Sequence, residues 1–312
     1  MPRPRHLPAP YETGAFAVRT AKGEDVPMSS MRGLANPFRG VRSHEELTSI
    51  DDRFAALGLA RPGLILSHCS AALVHRLPVP RACEHAALHV ATGGAKVRRP
   101  GVVPHRGART PVIVRGVAVT SLADTWIDLA PCLALDDLVV LGDAVARRLR
   151  SIEPLTAVVR RRVPGVLRAR EALTWVRMGS ASPMETRSRV LVGRAGLPEP
   201  ELNVAVHDPD GGWIAESDLV WREAKVLGEY QGEHHFGDYG RGDKDIVRRR
   251  AVEAAGWTHV DFTKDDYFRR PRRLALVRRF AEALGCELDP EAVAEIGVSP
   301  GLPCGPLRPC GG

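Results

Sequence analysis

Two carboxylates fall on neighbouring predicted strands in the second half of the chain. Asp218 lies in the segment Ser217–Trp221, and Glu229 follows this segment by eight residues. Adjacent like charges repel, so stability alone explains such a pair poorly. Carboxylate oxygens suit a hard divalent cation, which often takes only one or two of them from the protein. The two acids therefore predict a site for Mg²⁺ or Mn²⁺.

The residues around this pair fit hydrolysis of a phosphodiester. That reaction needs an activated water and compensation of the charge on the phosphate, and a carboxylate-held ion supplies both. Glu185 could orient the water, although it also has the capping-box spacing from Ser182. Gln231, two residues after Glu229, could position the water by hydrogen bonding. We therefore assign catalytic positions to Glu185, Asp218, Glu229 and Gln231.

Basic and imidazole side chains nearby could serve the same chemistry. Lys244 and Arg248 are four residues apart on a predicted helix, hence on one face, where they could hold phosphates. We add Arg187 as a third phosphate contact. His234 and His235 could assist as phosphate donors or as acid and base, or they could simply face solvent in a loop.

Periodicity and capping residues place these side chains on a regular series of elements. Ser182 and Pro183 open a helix, period-two alternation marks three strands, and a basic helix and a further strand follow. The expected ranges are a helix over 182–194, strands over 202–206, 213–221 and 225–231, a helix over 242–255 and a strand over 257–262. The predicted order is α-β-β-β-α-β, and Trp213, Trp221 and Trp257 are expected in its core.

At these residues the chain resembles the PD-(D/E)xK nuclease superfamily, in its branch similar to very-short-patch-repair endonucleases. The resemblance spans about 182–279 and matches Glu185, Asp218 and Glu229 to the three acids of that family, with Asp245 to Arg248 matching its helix motif. Gln231 stands where the superfamily usually has lysine and this branch often has aspartate. The resemblance implies a restriction-endonuclease-like α/β fold in the carboxy-terminal half.

The first half of the chain predicts a small mixed α/β domain. Capped helices are expected at Ser67–His75 and Thr120–Ala130, and a strand at Ala87–Val90. A metal site built from His68, His75, His85, His89, Cys69 and Cys83 is not expected, because the spacing fits no compact ligand pattern. This region resembles type IV abortive-infection antitoxins.

Composition shifts divide the chain into five predicted segments. They are a disordered leader (1–35), the antitoxin-like domain (36–150), a basic helical linker (151–180), the endonuclease-like domain (181–285) and a disordered tail (286–312). Met28 or Met31 could be the start in place of Met1. The expectation for the leader rests on its Pro, Arg and Gly content without an apolar centre.

Charge and cysteine usage narrow the class of protein. The net charge is +7, with eight arginines and one acid between Arg147 and Arg170 and a second cluster from Arg269 to Arg279. These clusters are either solvated helix faces or a track for a phosphate backbone. The six cysteines form no Cys-x-x-Cys pair, and no run of 18 apolar residues occurs. A cytoplasmic protein without a membrane partner is expected.

We therefore predict a divalent-metal-dependent DNA endonuclease with Mg²⁺ or Mn²⁺ as cofactor. The alternative is a catalytically degenerate nuclease fold that binds nucleic acid, or an antitoxin-like regulator whose partner is a toxin or an operator. Assembly of two copies to cut both strands stays open.

Overall fold

The computed structural model of the chain describes residues 7–84, 87–93, 97–208, 210–232 and 239–297, with the backbone alone for 239–246. Its contacts divide the chain into two compact units, with the boundary between Cys132 and Leu133. In the described part of the chain, no helix combines the length and apolar character needed to cross a membrane.

The first unit is mixed α/β, as predicted. Its elements, in order, are β1 (Ala15–Ala17), α1 (Val18–Gly23), β2 (Val41–Ser43), α2 (Ile50–Ala60), β3 (Ile65–Leu66), α3 (His68–Val74), β4 (Leu88–Thr92), β5 (Val102–Arg106), β6 (Val112–Val114), β7 (Val117–Val119) and α4 (Leu122–Leu129). Strands β1 and β2 pair by themselves, and the other five form a sheet in the order β5-β4-β3-β7-β6. The two predicted helices and the predicted strand correspond to α3, α4 and β4.

Residues 7–35 are ordered, contrary to the expectation of a disordered leader. Tyr11, Phe16, Ala21 and Met31 are buried together in a small apolar cluster. Composition missed this cluster because its apolar residues are spread among Pro, Arg and Gly over about 25 residues, without a periodic pattern.

The second unit contains the carboxy-terminal elements. They are α5 (Leu135–Leu149), α6 (Glu153–Val158), α7 (Val166–Trp175), α8 (Pro183–Arg194), β8 (Glu201–His207), β9 (Trp213–Trp221), β10 (Val226–Tyr230), α9 (Tyr239–Ala254), β11 (Thr258–Phe262), α10 (Lys264–Phe268), α11 (Arg270–Leu284) and α12 (Pro290–Gly297). From α8 to β11 the order is the predicted α-β-β-β-α-β, with α9 beginning three residues earlier than expected.

The boundaries predicted around this unit differ from the observed ones. Helix α5, assigned to the first domain, packs on α7 and α8, so the unit begins at Leu133 and residues 151–180 belong to it. The predicted tail also contributes, because Ile296 of α12 is buried against α8 and α11. Residues 298–312 lie outside the described part.

The sheet of the second unit has the order β11-β10-β9-β8, with β10 and β11 parallel and the other neighbours antiparallel. One face carries Val220 and Leu227 against Val252 of α9. The opposite face carries Leu219 and Phe262 against α8 and α11. Because side chains alternate along a strand, this register decides which residues share a face with Asp218 and Glu229.

Local sequence explains where α8 begins and why the sheet lies close to α11. The Ser182 hydroxyl accepts a hydrogen bond from the Glu185 amide at 3.2 Å, and Pro183 occupies the first turn. Gly228 of β10 allows close packing, since a Cβ there would lie 3.0 Å from the Phe280 ring. The bulk of any other side chain would push β10 and α11 apart.

The three tryptophans predicted in the core differ in burial. Trp221 is buried and donates its indole N–H to the Pro198 carbonyl at 2.7 Å, and Trp257 packs partly buried against the α9 face. Trp213 is 66% exposed, so its core assignment was wrong. It is the first residue of β9, directly after the turn, where nothing covers that end of the strand among the described residues.

Several arginines of the basic clusters have structural roles. Arg147 donates to the Ser180 carbonyl at 3.0 Å, and Arg170 to the Val159 carbonyl at 3.1 Å. Arg273 is buried and donates to the carbonyls of Tyr267 and Ile296. The clusters are therefore not uniform solvated faces, although the run 160–162 is exposed.

Candidate functional site

Asp218 lies where strands β9 and β10 stop pairing through their backbones. The last paired residues are Leu219 and Gly228, and beyond them the Asp218 carboxylate accepts a hydrogen bond from the Tyr230 amide at 2.7 Å. The Asp218 side chain thus accepts the hydrogen bond of the Tyr230 amide in place of a backbone carbonyl of β9. The same-face alternation then places Asp218 and Glu229 side by side, as the sequence predicted.

The other two predicted acids both act on Asp218. Burial, followed by the charges of Glu185 and Glu229, raises the pKa of Asp218 to about 6 against the hydrogen bond from Tyr230 and the charge of Arg248. A carboxylate with this environment is one whose negative charge is poorly compensated. Helix α8 and strand β10 therefore bring Glu185 and Glu229 close enough to Asp218 of β9 for their charges to act on it.

Glu185 is held by two elements. Its carboxylate accepts hydrogen bonds from the Ala181 amide and from the Asn203 side chain, both at 2.7 Å. Asn203 occupies the position of β8 opposite Asp218, between the pairs Leu202–Leu219 and Val204–Ser217, and it has a positive φ of 50°. Strained backbone of this kind gathers at functional sites, and Asn tolerates it better than most residues. Asn203 was not predicted as a site residue, although its polar type within an apolar alternation was the available signal.

Glu229 is buried and already has cationic and imidazole partners. Arg248 of α9 forms a two-bond pair with its carboxylate at 2.9 and 2.6 Å, and His259 Nε2 lies 3.3 Å away. Burial alone would raise the pKa of Glu229, but the hydrogen bond from His259 and the charge of Arg248 together lower it. Arg248, which was predicted to contact phosphate, thus binds the carboxylate of Glu229, which was predicted to be a metal ligand.

Strand β11 adds two residues that the sequence analysis did not select. Parallel pairing sets Asp261 beside Glu229 and His259 beside Leu227, so both share the face of Glu229. Gln231 donates its amide to Asp261 at 2.8 Å, and Arg249 forms an ion pair with the same carboxylate. A pocket of about 320 Å³ is lined by Glu229, Gln231, Arg248, Arg249, Val252, His259 and Asp261.

Three of these residues have the donor types of a metal site. Glu229, His259 and Asp261 each present a ligand atom within 4.8 Å of the others. The His259 side chain is 7% exposed, and its Nδ1 has no hydrogen-bond partner among the described residues. No local pattern could reveal this group, because it depends on the parallel register between β10 and β11.

Among the remaining predicted site residues, the structure describes the side chain of Arg187 alone. Arg187 pairs with Asp137 of α5, and its guanidinium lies 5.4 Å from the Tyr267 ring centroid. Its side chain is 15% exposed, so a phosphate contact would require breaking the pair with Asp137. Lys244 lies in α9, but its side chain falls outside the described part, as do His234 and His235 entirely.

A second cluster of titratable side chains lies in the first unit. The rings of His68 and His105 stack with centroids 3.5 Å apart, and His89 Nδ1 lies 2.9 Å from His105 Nε2. Burial and the charge of His68 lower the pKa of His89 to about 4 and, with a further contribution from His89, that of His105 to about 3. Of the histidines considered earlier, His75 instead bonds the Thr120 carbonyl at 2.8 Å, and His85 lies outside the described part.

Comparison with known proteins finds relatives in Mycobacterium tuberculosis. The proteins named Uncharacterized protein Rv2248 (strain H37Rv) and Uncharacterized protein MT2308 (strain CDC 1551 / Oshkosh) are each 32% identical to this chain over 197 residues. The match covers 61% of this chain and 71% of each relative. No family model matches the chain. No solved structure matches it either. Identity and coverage of this extent show that the chain belongs to the same family as these two mycobacterial proteins.

Proposed function

We propose that the second unit is a divalent-metal-dependent DNA endonuclease. The observation that carries the proposal is the meeting of Glu185, Asp218 and Glu229, which come from a helix and two adjacent strands. Burial, with the charges of Glu185 and Glu229 added to it, raises the pKa of Asp218, and carboxyl groups perturbed in this way are typical of functional sites.

The arrangement of elements supports a restriction-endonuclease-like core. The α-β-β-β-α-β order of α8 to β11, with the acids at one end of β9 and β10, is the framework that the sequence resemblance implies. Helices lie on both faces of the four-stranded sheet, α9 on one and α8 with α11 on the other. The acids of β9 and β10 lie just beyond the last backbone pair of these strands, Leu219 and Gly228.

The donor set fits a hard divalent cation. Asp218 and Glu229 offer carboxylate oxygens on one face, and Asp218 lacks a cationic side chain in direct contact among the described residues. Held there, Mg²⁺ or Mn²⁺ would supply Lewis-acid activation of a water and neutralise charge on a phosphate.

The protein's own groups would orient the reactants. Glu185, fixed by Asn203 and the Ala181 amide, would accept a hydrogen bond from the attacking water. Gln231 is anchored through Asp261 and would hold the same water from the strand end. Arg248 would leave the Glu229 carboxylate and bind a phosphate instead. A guanidinium group can form two parallel hydrogen bonds with either a carboxylate or a phosphate. Lys244 of the same helix would be a second phosphate contact.

A second candidate function has its own observation. Gln231 replaces the lysine usual in the superfamily, and Arg248 already neutralises Glu229. Both features suit a degenerate nuclease fold that binds nucleic acid without cutting it, or an antitoxin-like regulator. The net charge of +7 suits DNA binding in either case.

Nicking of supercoiled plasmid tests the proposal. With Mg²⁺ or Mn²⁺, the full chain is expected to nick, while Asp218→Asn and Glu229→Gln are expected to lose nicking and keep DNA binding in Ca²⁺. Asp210→Asn, a change of the same kind at an exposed turn, is the matched control. Metal-independent binding without nicking on supercoiled, mismatched and single-stranded DNA would favour the degenerate reading.

A further inference from the structure

The pocket beside Glu229 contains two side chains that the nuclease proposal does not use as metal ligands. His259 and Asp261 come from β11, the strand on the far side of Glu229 from Asp218. Their ligand atoms and that of Glu229 lie within 4.8 Å of one another. Two carboxylates and an imidazole at this separation are a ligand set that divalent transition metals accept.

The imidazole of His259 points to a ligand. The side chain is more than nine-tenths buried and lines the pocket, with Nε2 3.3 Å from Glu229 and Nδ1 3.6 Å from Asp261. Nδ1 has no hydrogen-bond partner among the described residues. A buried nitrogen without a partner is costly, and a bound cation would remove that cost.

Two guanidinium groups now balance the charge of this group. Arg248 holds Glu229 and Arg249 holds Asp261, so two positive charges face two negative ones. One divalent cation carries the same charge as the two guanidinium groups. Exchange would leave the pocket neutral and release both guanidinium groups from their carboxylates.

We propose that Glu229, His259 and Asp261 form a second divalent-cation site, which Arg248 and Arg249 occupy in the cation-free protein. The imidazole makes the site favour Mn²⁺ over Mg²⁺, because Mg²⁺ prefers an all-oxygen shell. The released guanidinium groups are then available to phosphate, so cation and polyanion binding strengthen each other. The site shares Glu229 with the proposed nuclease centre and in that respect rests on the proposed function.

Manganese binding to the full chain tests the site without any need for DNA cleavage. Loss of the free-Mn²⁺ electron paramagnetic resonance signal gives the affinity of chelator-stripped protein. His259→Gln and Asp261→Asn are each expected to weaken Mn²⁺ binding by at least ~10-fold, as loss of groups that hold or orient a metal does. Mg²⁺ is expected to compete poorly with Mn²⁺ in the wild type and better in His259→Gln. Exposed residues provide matched controls, His207→Gln and Asp210→Asn, and thermal melts confirm folding.

If the cation displaces the arginines from their carboxylates, removing an arginine should strengthen Mn²⁺ binding. Arg249→Gln removes the competitor of the cation and is expected to strengthen Mn²⁺ binding by roughly two- to fivefold, the range of an exposed ion pair. Its neighbour Arg250 is exposed on the same helix, and Arg250→Gln is expected to leave the affinity unchanged.

The outcomes separate this proposal from the nuclease proposal. Binding lost in Asp218→Asn but retained in His259→Gln and Asp261→Asn would assign the cation to Asp218 and Glu229 alone and overturn the second site. Absence of any Mn²⁺ binding would overturn it as well. Mn²⁺ binding with the predicted variant pattern, in a protein that nicks no DNA, would leave the second site standing and remove the proposed function.

Discussion

Asp218 combines partial burial with two acidic neighbours, so its ionised form is costly in the cation-free protein. The pKa of about 6 means that the folded state holds this proton more tightly than the unfolded chain, whose carboxyl has the ordinary value of 3.8. The folded state therefore loses stability as pH rises from about 4 through 6. Above pH 6 the full cost is present.

Asp218→Asn is expected to stabilise the protein at pH 7.5 by the order of 1–2 kcal/mol, less than the two-unit shift allows because the group is partly solvated. The asparagine oxygen can still accept from the Tyr230 amide. Thermal melts of the variant and wild type should converge as pH falls from 6 to 4, and Asp210→Asn should show no such gap. A variant less stable than wild type at pH 7.5 would contradict the uncompensated charge.

At the scale of elements, helices α5 and α8 are joined by a buried charged network. Asp143 accepts from the Thr186 hydroxyl at 2.8 Å and from Arg189 at 2.9 Å, and both charged side chains are at most 2% exposed. Burial raises the pKa of Asp143 despite these donors. The network fixes the helix that carries Glu185.

Asp143→Ala is expected to destabilise the second unit by about 3–5 kcal/mol, because the buried Arg189 charge keeps only the half-exposed Glu199 carboxylate, 3.7 Å from its Nη1. Glu201→Ala breaks the exposed pair with Arg222 and should cost less than about 1 kcal/mol. Denaturant unfolding measures both. Equal costs for the two variants would show that the Asp143 network has no special role.

The elements were more predictable from sequence than the contacts between them. Period-two alternation and the cap at Ser182 predicted α8, β8 to β10 and β11 because these signals are local. Asp218 and Glu229 were identifiable because each acid interrupts a strand-forming segment. His259 and Asp261 were not, since their approach to Glu229 depends on the crossover through α9. The pairing of Arg187 with Asp137 was not predictable either, because Asp137 lies fifty residues earlier in the chain.

At the scale of the whole molecule, the chain consists of two units with different titration behaviour. The second unit holds the acids, and the first holds the stacked His68, His89 and His105. The pKa values of His89 and His105 are lowered from 6.5, so the unfolded chain binds protons that the folded unit rejects. Above pH 6.5 both histidines are neutral in the folded and the unfolded chain, and they do not lower the free energy of unfolding. That free energy declines as pH falls from 6.5 toward 4.

Acidification is therefore expected to destabilise the first unit selectively, by the order of 1–2 kcal/mol at pH 5.5. Melts of the full chain between pH 7 and 4.5 measure this, and His105→Gln should flatten the dependence. His207→Gln, an exposed change in the second unit, should leave it unaltered. A melting profile that does not change below pH 6.5 would contradict the buried neutral imidazoles.

The central claim is that Glu185, Asp218 and Glu229 act as one cation-dependent site. The most direct test is the single-turnover rate of plasmid nicking in Mn²⁺ for Glu185→Gln, Asp218→Asn and the double variant. Residues that act as a unit are strongly non-additive, so each single change is predicted to slow nicking by at least ~100-fold and the double change to add little. Single variants that nick at the wild-type rate, or effects that multiply in the double variant, would contradict the claim.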